Sequence, residues 1–117
     1  MNKDRFKFRV WDNTKNQYVD DSEVELLLNT DGVLLFGNWH VVYFAKGNYT
    51  IEQCTGFSDK IGNLIYENDQ FYDSNKRLCT VSWHNGAFHN GFGNLLSNLR
   101  TEEIEIIGSV HNQKEKL

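Results

Sequence analysis

The sequence predicts a mainly β chain: a small barrel of short antiparallel strands with one short helical turn. Three observations lead there. Turn signals recur at intervals of about ten residues, the spacing of small all-β folds. Aromatic residues make up 14% of the chain and suit pleated, half-buried surfaces. No stretch has the length and helical period that a βαβ crossover needs, which argues against a Rossmann-like arrangement.

The first strand is predicted from Phe6 to Trp11, with Phe6, Phe8 and Val10 on one face and Lys7, Arg9 and Trp11 on the other. Asp12-Asn13-Thr14-Lys15-Asn16 is a polar turn leading back to Tyr18 and Val19. Val24 to Leu28 and Val33 to Phe36 flank Asn29-Thr30-Asp31-Gly32, and Asp-Gly between apolar runs signals a hairpin. Leu26-Leu27-Leu28 also suits a helix, so the first arm is open to either form. His40 to Ala45 is β-branched and aromatic, and Lys46-Gly47-Asn48 ends it. Tyr49 to Cys54 alternates Tyr49, Ile51 and Gln53 against Thr50, Glu52 and Cys54. Leu78 to Trp83 sets Cys79, Val81 and Trp83 on a core face. Asn85-Gly86 signals a type I′ turn that returns through Ala87-Phe88-His89. Leu95, Leu96 and Leu99 line one short helical turn, and Ile104 to Val110 is a last strand broken by Gly108. The chain has no proline, so Gly, Asn and Asp must shape its loops.

Its 117 residues suffice for one domain, 1–117, with a core of its own. Within it, residues 1–50 and 51–110 read as two lobes, and 111–117 as a fraying tail. Sixteen acidic and 12 basic residues give a net charge of −4, which supplies no global attraction to nucleic acid. Cys54 and Cys79 lie outside any CxxC pair and read as buried thiols in a reducing compartment. The N-terminus lacks the apolar region of a secretory signal, and no apolar run is long enough to span a membrane. The expected location is the cytoplasm of a host cell.

Four blocks carry a family likeness. Lys7-Phe8-Arg9-Val10-Trp11-Asp12, followed by Tyr18, is like Lys-Phe-Arg-Ala-Trp-Asp. Gln53-Cys54-Thr55-Gly56-Phe57-Ser58-Asp59-Lys60-Ile61-Gly62 is like Gln-Tyr-Thr-Gly-Leu-Lys-Asp-Lys-Asn-Gly. Ile65-Tyr66-Glu67-Asn68-Asp69 is like Ile-Tyr-Glu-Gly-Asp, and Ile104-Glu105-Ile106-Ile107-Gly108-Ser109-Val110 is like Ile-Glu-Val-Ile-Gly-Asn-Ile. With Val81-Ser82-Trp83, these span most of the chain in one order, and the chain resembles the YopX family of phage and prophage proteins. Residues 20–50 match poorly. The resemblance implies a mostly β fold and a phage-encoded origin, and it brings no catalytic residues. Asn68 stands where the family has Gly, which predicts a left-handed bend, since Asn tolerates positive φ. Cys54 replaces a Tyr, and Ile61 the Asn of an Asn-Gly turn.

Glu67, Asp69 and Asp59 form the main carboxylate group. They read as turn residues accepting backbone N–H groups, together with Gly56, Gly62 and Asn68, rather than as a metal or acid–base site. The Tyr66-Glu67-Asn68-Asp69 bend is like the strand entry of SH3-like barrels. His84 and His89 flank a turn without standard zinc spacing, even with His40 or Cys79 as a third ligand. Gly91-Phe92-Gly93 lacks the residues of a phosphate loop, and no Gly-x-Ser-x-Gly is present.

The leading expectation is a non-catalytic module without cofactor or metal, which binds a host or phage protein or assembles with itself. Its candidate interface is Leu35, Phe36, Val42 and Phe44. The alternative is a barrel that binds single-stranded nucleic acid through Lys7, Arg9 and Trp11, on a basic stripe that begins with Lys3 and Arg5. A metal-dependent enzyme built on Glu67, Asp69 and a histidine ranks third.

Overall fold

The computed structural model describes residues 6–20, 22, 24–37 and 42–111. These residues form β1 Phe8–Asp12, β2 Gln17–Tyr18, β3 Glu25–Leu28, β4 Leu34–Gly37, β5 Val42–Phe44, β6 Tyr49–Ser58, β7 Leu64–Tyr66, β8 Asp69–Tyr72, β9 Leu78–Thr80, β10 Ser82–His84, β11 Ala87–His89 and β12 Gly108–Ser109. Two 3-10 turns, Leu96–Asn98 and Thr101–Glu103, lie between β11 and β12. The fold class is mainly β, as the turn spacing and aromatic content predict. The sheets have strand orders β2-β1-β6-β7, β3-β4-β5, β12-β8-β9 and β10-β11.

The turn signals place the hairpins. Leu26-Leu27-Leu28 is strand, not helix, because Leu28 pairs with Leu34 and Leu26 with Phe36 across the Asp31-Gly32 turn. Asn85 and Gly86 have φ of 51° and 80°, the left-handed pair of a type I′ turn, and β10 and β11 pair around them. Between Cys54 and Ser58 the register of β6 against β7 shifts, and Gly56, at φ 86°, sits in that irregularity.

The chain divides into two compact units. One is Val10–Thr50, and the other takes in the described residues on either side of it. The Val10–Thr50 unit holds β2–β5. Trp11 packs edge-on against Tyr18 with ring centroids 4.9 Å apart, and Phe36 does the same with Tyr43 and Tyr49. Asp12 Oδ1 accepts the N–H groups of Thr14 and Lys15, closing the first turn.

The other unit holds β7–β12 around a core of Ile65, Phe71, Cys79, Val81 and Leu96, with Phe57, Phe88, Leu99, Ile104 and Ile106 packed against it. Two expectations are corrected here. Cys79 and Val81 are fully buried, but Trp83 is exposed: the strand breaks at Val81, and Trp83 leaves the core with the β10–β11 hairpin. Ile104 to Val110 forms only the two-residue β12. Ile106 donates its N–H to the Asp59 side chain rather than to a ladder, so regular pairing starts late.

Candidate functional site

On β6 the side-chain alternation puts Glu52 on the same side as Cys54, and that side is buried. Glu52 is 0% exposed. A buried carboxylate needs charge and hydrogen-bond partners, and three described residues supply them to Glu52. Arg9 Nε donates to its Oε1 at 2.7 Å, while Asn68 Nδ2 and His111 Nε2 both donate to Oε2 at 2.7 Å. The same guanidinium reaches on. Arg9 Nη2 donates to Asp69 Oδ1 at 2.7 Å and to the Glu67 carbonyl at 3.2 Å, and Arg9 Cζ lies 4.7 Å from the centroid of the Tyr66 ring.

The bend between β7 and β8 holds these groups in place. Asn68 adopts φ 70°. Its N–H donates to Val81 O and its carbonyl accepts from Val110, both at 2.8 Å. Asp69 Oδ2 accepts the Tyr66 N–H at 2.8 Å, and Glu67 Oε1 accepts the Gln53 N–H at 2.7 Å. Among the described residues no buried side-chain nitrogen or oxygen lacks a partner.

The two buried carboxylates are tuned in opposite directions. Burial raises the pKa of Glu52, but the Asn68 hydrogen bond, the charge and hydrogen bond of Arg9 and the His111 hydrogen bond outweigh it, so the carboxyl titrates below its ordinary value. Burial pushes Asp69 up, and Arg9 only partly offsets that. Tyr66 is also pushed up, chiefly by burial. The guanidinium lies between Glu52 and Asp69, where a bound cation would otherwise balance them. The arrangement clamps β1, β6, the bend and the segment after β12 to one another.

The other residues singled out from sequence lie elsewhere. Asp59 is not part of this cluster: its Oδ1 accepts from Ile61 and Asn63 and its Oδ2 from Ile106, around a turn in which Gly62 has φ 89°. Lys7 is exposed, and its carbonyl accepts the Cys54 N–H at 2.9 Å. Arg9 faces two carboxylates, and Trp11 is 7% exposed. Lys3, Arg5, Trp39 and His40 lie outside the described residues. His84 and His89 face each other at 5.9 Å, with His89 Nε2 bonded to the His84 carbonyl. No three His, Cys, Asp or Glu side chains converge as a metal site among the described residues. Cys54 and Cys79 are buried thiols. Leu35 and Phe36 are half-buried on β4, while Val42 and Phe44 are exposed on β5.

The family model described as YopX protein matches residues 7–117. The chain belongs to the YopX family. Its fold is similar to the X-ray crystal structure of protein yopX from Bacillus subtilis, with a TM-score of 0.63 and 22% identity over 100% of this chain and 99% of that one. Among curated proteins, none matches the chain. The block order read from the sequence thus falls within the matched YopX region, and Arg9, Glu52, Asn68, Asp69 and His111 all lie inside it.

Two members of the cluster escape sequence reasoning. Glu52 sits in an alternating strand, where a charged residue reads as solvent-facing, and only its position beside Cys54 hints otherwise. His111 falls in the stretch read as a fraying tail, yet its ring is tied to Glu52 and its N–H to Ser109 Oγ. Residues 112–117 lie outside the described residues. No helix among the described residues is long and apolar enough to cross a membrane.

Proposed function

We propose that this chain is a non-catalytic accessory protein that works through protein contacts, with a second copy of itself docking along β5. One observation carries the reading. β5 is one of the two outer strands of the β3-β4-β5 sheet, and its three residues, Val42, Tyr43 and Phe44, are 59, 46 and 63% exposed. Edge strands of monomers are ordinarily guarded by charge, proline or a bulge, and β5 has none of these. Its lack of charge also lets two copies meet without like-charge repulsion. The register sets Phe44 opposite Leu35 and Val42 opposite Gly37, and Leu27 opposite Leu35, so Leu27, Leu35, Val42 and Phe44 share one face of the sheet.

YopX membership supports an accessory role and assigns no activity. A phage or prophage origin and a site of action in the host cytoplasm complete the proposal. Sedimentation velocity across the micromolar range tests it. The expected result is a mass above that of the monomer, rising with concentration. A constant monomer mass over that range overturns the self-association reading.

A further inference from the structure

A groove of about 790 Å³ opens in the unit that holds β7–β12, within the size range of small-ligand sites. Its lining comes from Phe6, β6, the bend at Glu67, the β10–β11 hairpin and the first 3-10 turn. Trp83 and Phe88 are cross-strand partners there, and their rings stand edge to face with centroids 4.7 Å apart and planes at 68°. Trp83 keeps 54% of its surface in solvent. Glu67 is the one charged residue among the described residues that line the groove.

Two aromatic faces at a steep angle, with a carboxylate lining the same groove, are the elements that recognise an organic cation. The chain makes this pairing internally. Arg9 lies over Tyr66 at 4.7 Å and Arg77 over Phe92 at 4.3 Å. Trp83 and Phe88 have no such cation from the described residues. Among the described residues the lining holds no Lys or Arg, which disfavours phosphate groups, and the apolar surface contributed by Phe57 and Ala87 extends past a single cation. It suits the residues that flank a basic side chain in a peptide.

We infer that this groove binds a partner protein's peptide segment through a Lys or Arg side chain, its cation packed against Trp83 and Phe88 and directed to Glu67. The surface is distinct from β5, so it goes beyond self-association.

The test is a heteronuclear NMR titration of the full chain with Ac-Leu-Arg-Leu-amide, against the citrulline peptide of the same shape without the charge. Saturable shifts are expected at the Trp83 indole N–H and at the Gly86 and Ala87 amides, with the arginine peptide bound about fivefold more tightly than the citrulline one. Glu67→Gln keeps an oxygen for the Gln53 N–H and is expected to erase most of that preference. Trp83→Ala, at an exposed position, is expected to abolish the shifts while thermal unfolding stays cooperative. No saturable shift up to ~10 mM peptide, equal affinity for the two peptides, or a preference that survives Glu67→Gln overturns the inference.

Discussion

Arg9 and Glu52 meet at 2.7 Å across 43 residues of sequence, and the same guanidinium closes on Asp69 at 2.7 Å, 60 residues away. One planar cation thereby serves two buried carboxylates, a task that fits a fork of donors and not a point charge. Arg9→Met strands both carboxylates and is expected to destabilise the fold by about 3–5 kcal/mol in urea unfolding. Arg9→Lys should recover only part of that loss, because an ammonium cannot span both partners. Full rescue by Lys would show that charge alone, without the fork geometry, holds the cluster.

Asn68 combines a backbone and a side-chain role. The φ of 70° would suit Gly at least as well, and the bend alone makes Asn68→Gly neutral or mildly stabilising. The side chain, however, donates to the buried Glu52 at 2.7 Å. Asn68→Gly is therefore expected to cost about 1.5–3 kcal/mol, the range for hydrogen bonds to charged groups. Asn68→Val should cost more, since it loses the same bond and adds about 1–2 kcal/mol of left-handed strain. Chemical denaturation of the three proteins gives the order Asn, Gly, Val, and a Gly variant as stable as Asn would dismiss the side-chain role.

Acid acts on the two carboxylates with opposite sign. The folded pKa of Glu52 lies below its unfolded value. Its contribution is complete above roughly pH 4.3, the unfolded glutamate value, and is lost as pH falls through the lower folded value. Asp69 has a raised folded pKa. Its contribution is complete below roughly pH 3.9 and declines as pH rises through the folded value. Urea midpoints measured from roughly pH 3 to pH 6 should show Glu52→Gln less stable than the parent at the upper end, but losing less on acidification. Parallel curves for the two proteins would assign the acid loss to other groups.

The β5 surface yields a paired prediction. Phe44 is exposed, whereas Phe36 is half-buried, with its ring 5.4 Å from that of Tyr49 and 6.0 Å from that of Tyr43. Phe44→Lys is expected to abolish concentration-dependent sedimentation and leave the melting temperature within a few degrees of the parent. Phe36→Glu buries a charge among aromatic rings and should lower stability in the monomer itself. If Phe44→Lys still associates, β5 is not the contact.

Sequence legibility followed the range of the interactions. The Asp31-Gly32 and Asn85-Gly86 turns, the left-handed Asn68 and the short β10–β11 hairpin depend on neighbouring residues, and sequence reasoning reaches them. Alternation extended past Val81 puts Trp83 in the core, but the strand breaks there. The Arg9–Glu52–His111 cluster was out of reach for another reason. Its members are joined only by tertiary packing, and a lone Glu in an alternating strand looks the same whether its face meets water or a guanidinium. The block containing Glu67, Asn68 and Asp69 drew attention to the bend, but nothing local named Arg9 as its partner.

The His111–Glu52 hydrogen bond has a consequence for biosynthesis. Glu52 leaves the ribosome 43 residues after Arg9, and the imidazole that also donates to its carboxylate is 59 residues further along the chain. Until that segment emerges from the exit tunnel, a nascent chain must keep Glu52 either hydrated or partly matched, so this cluster closes only after residue 111 has been made.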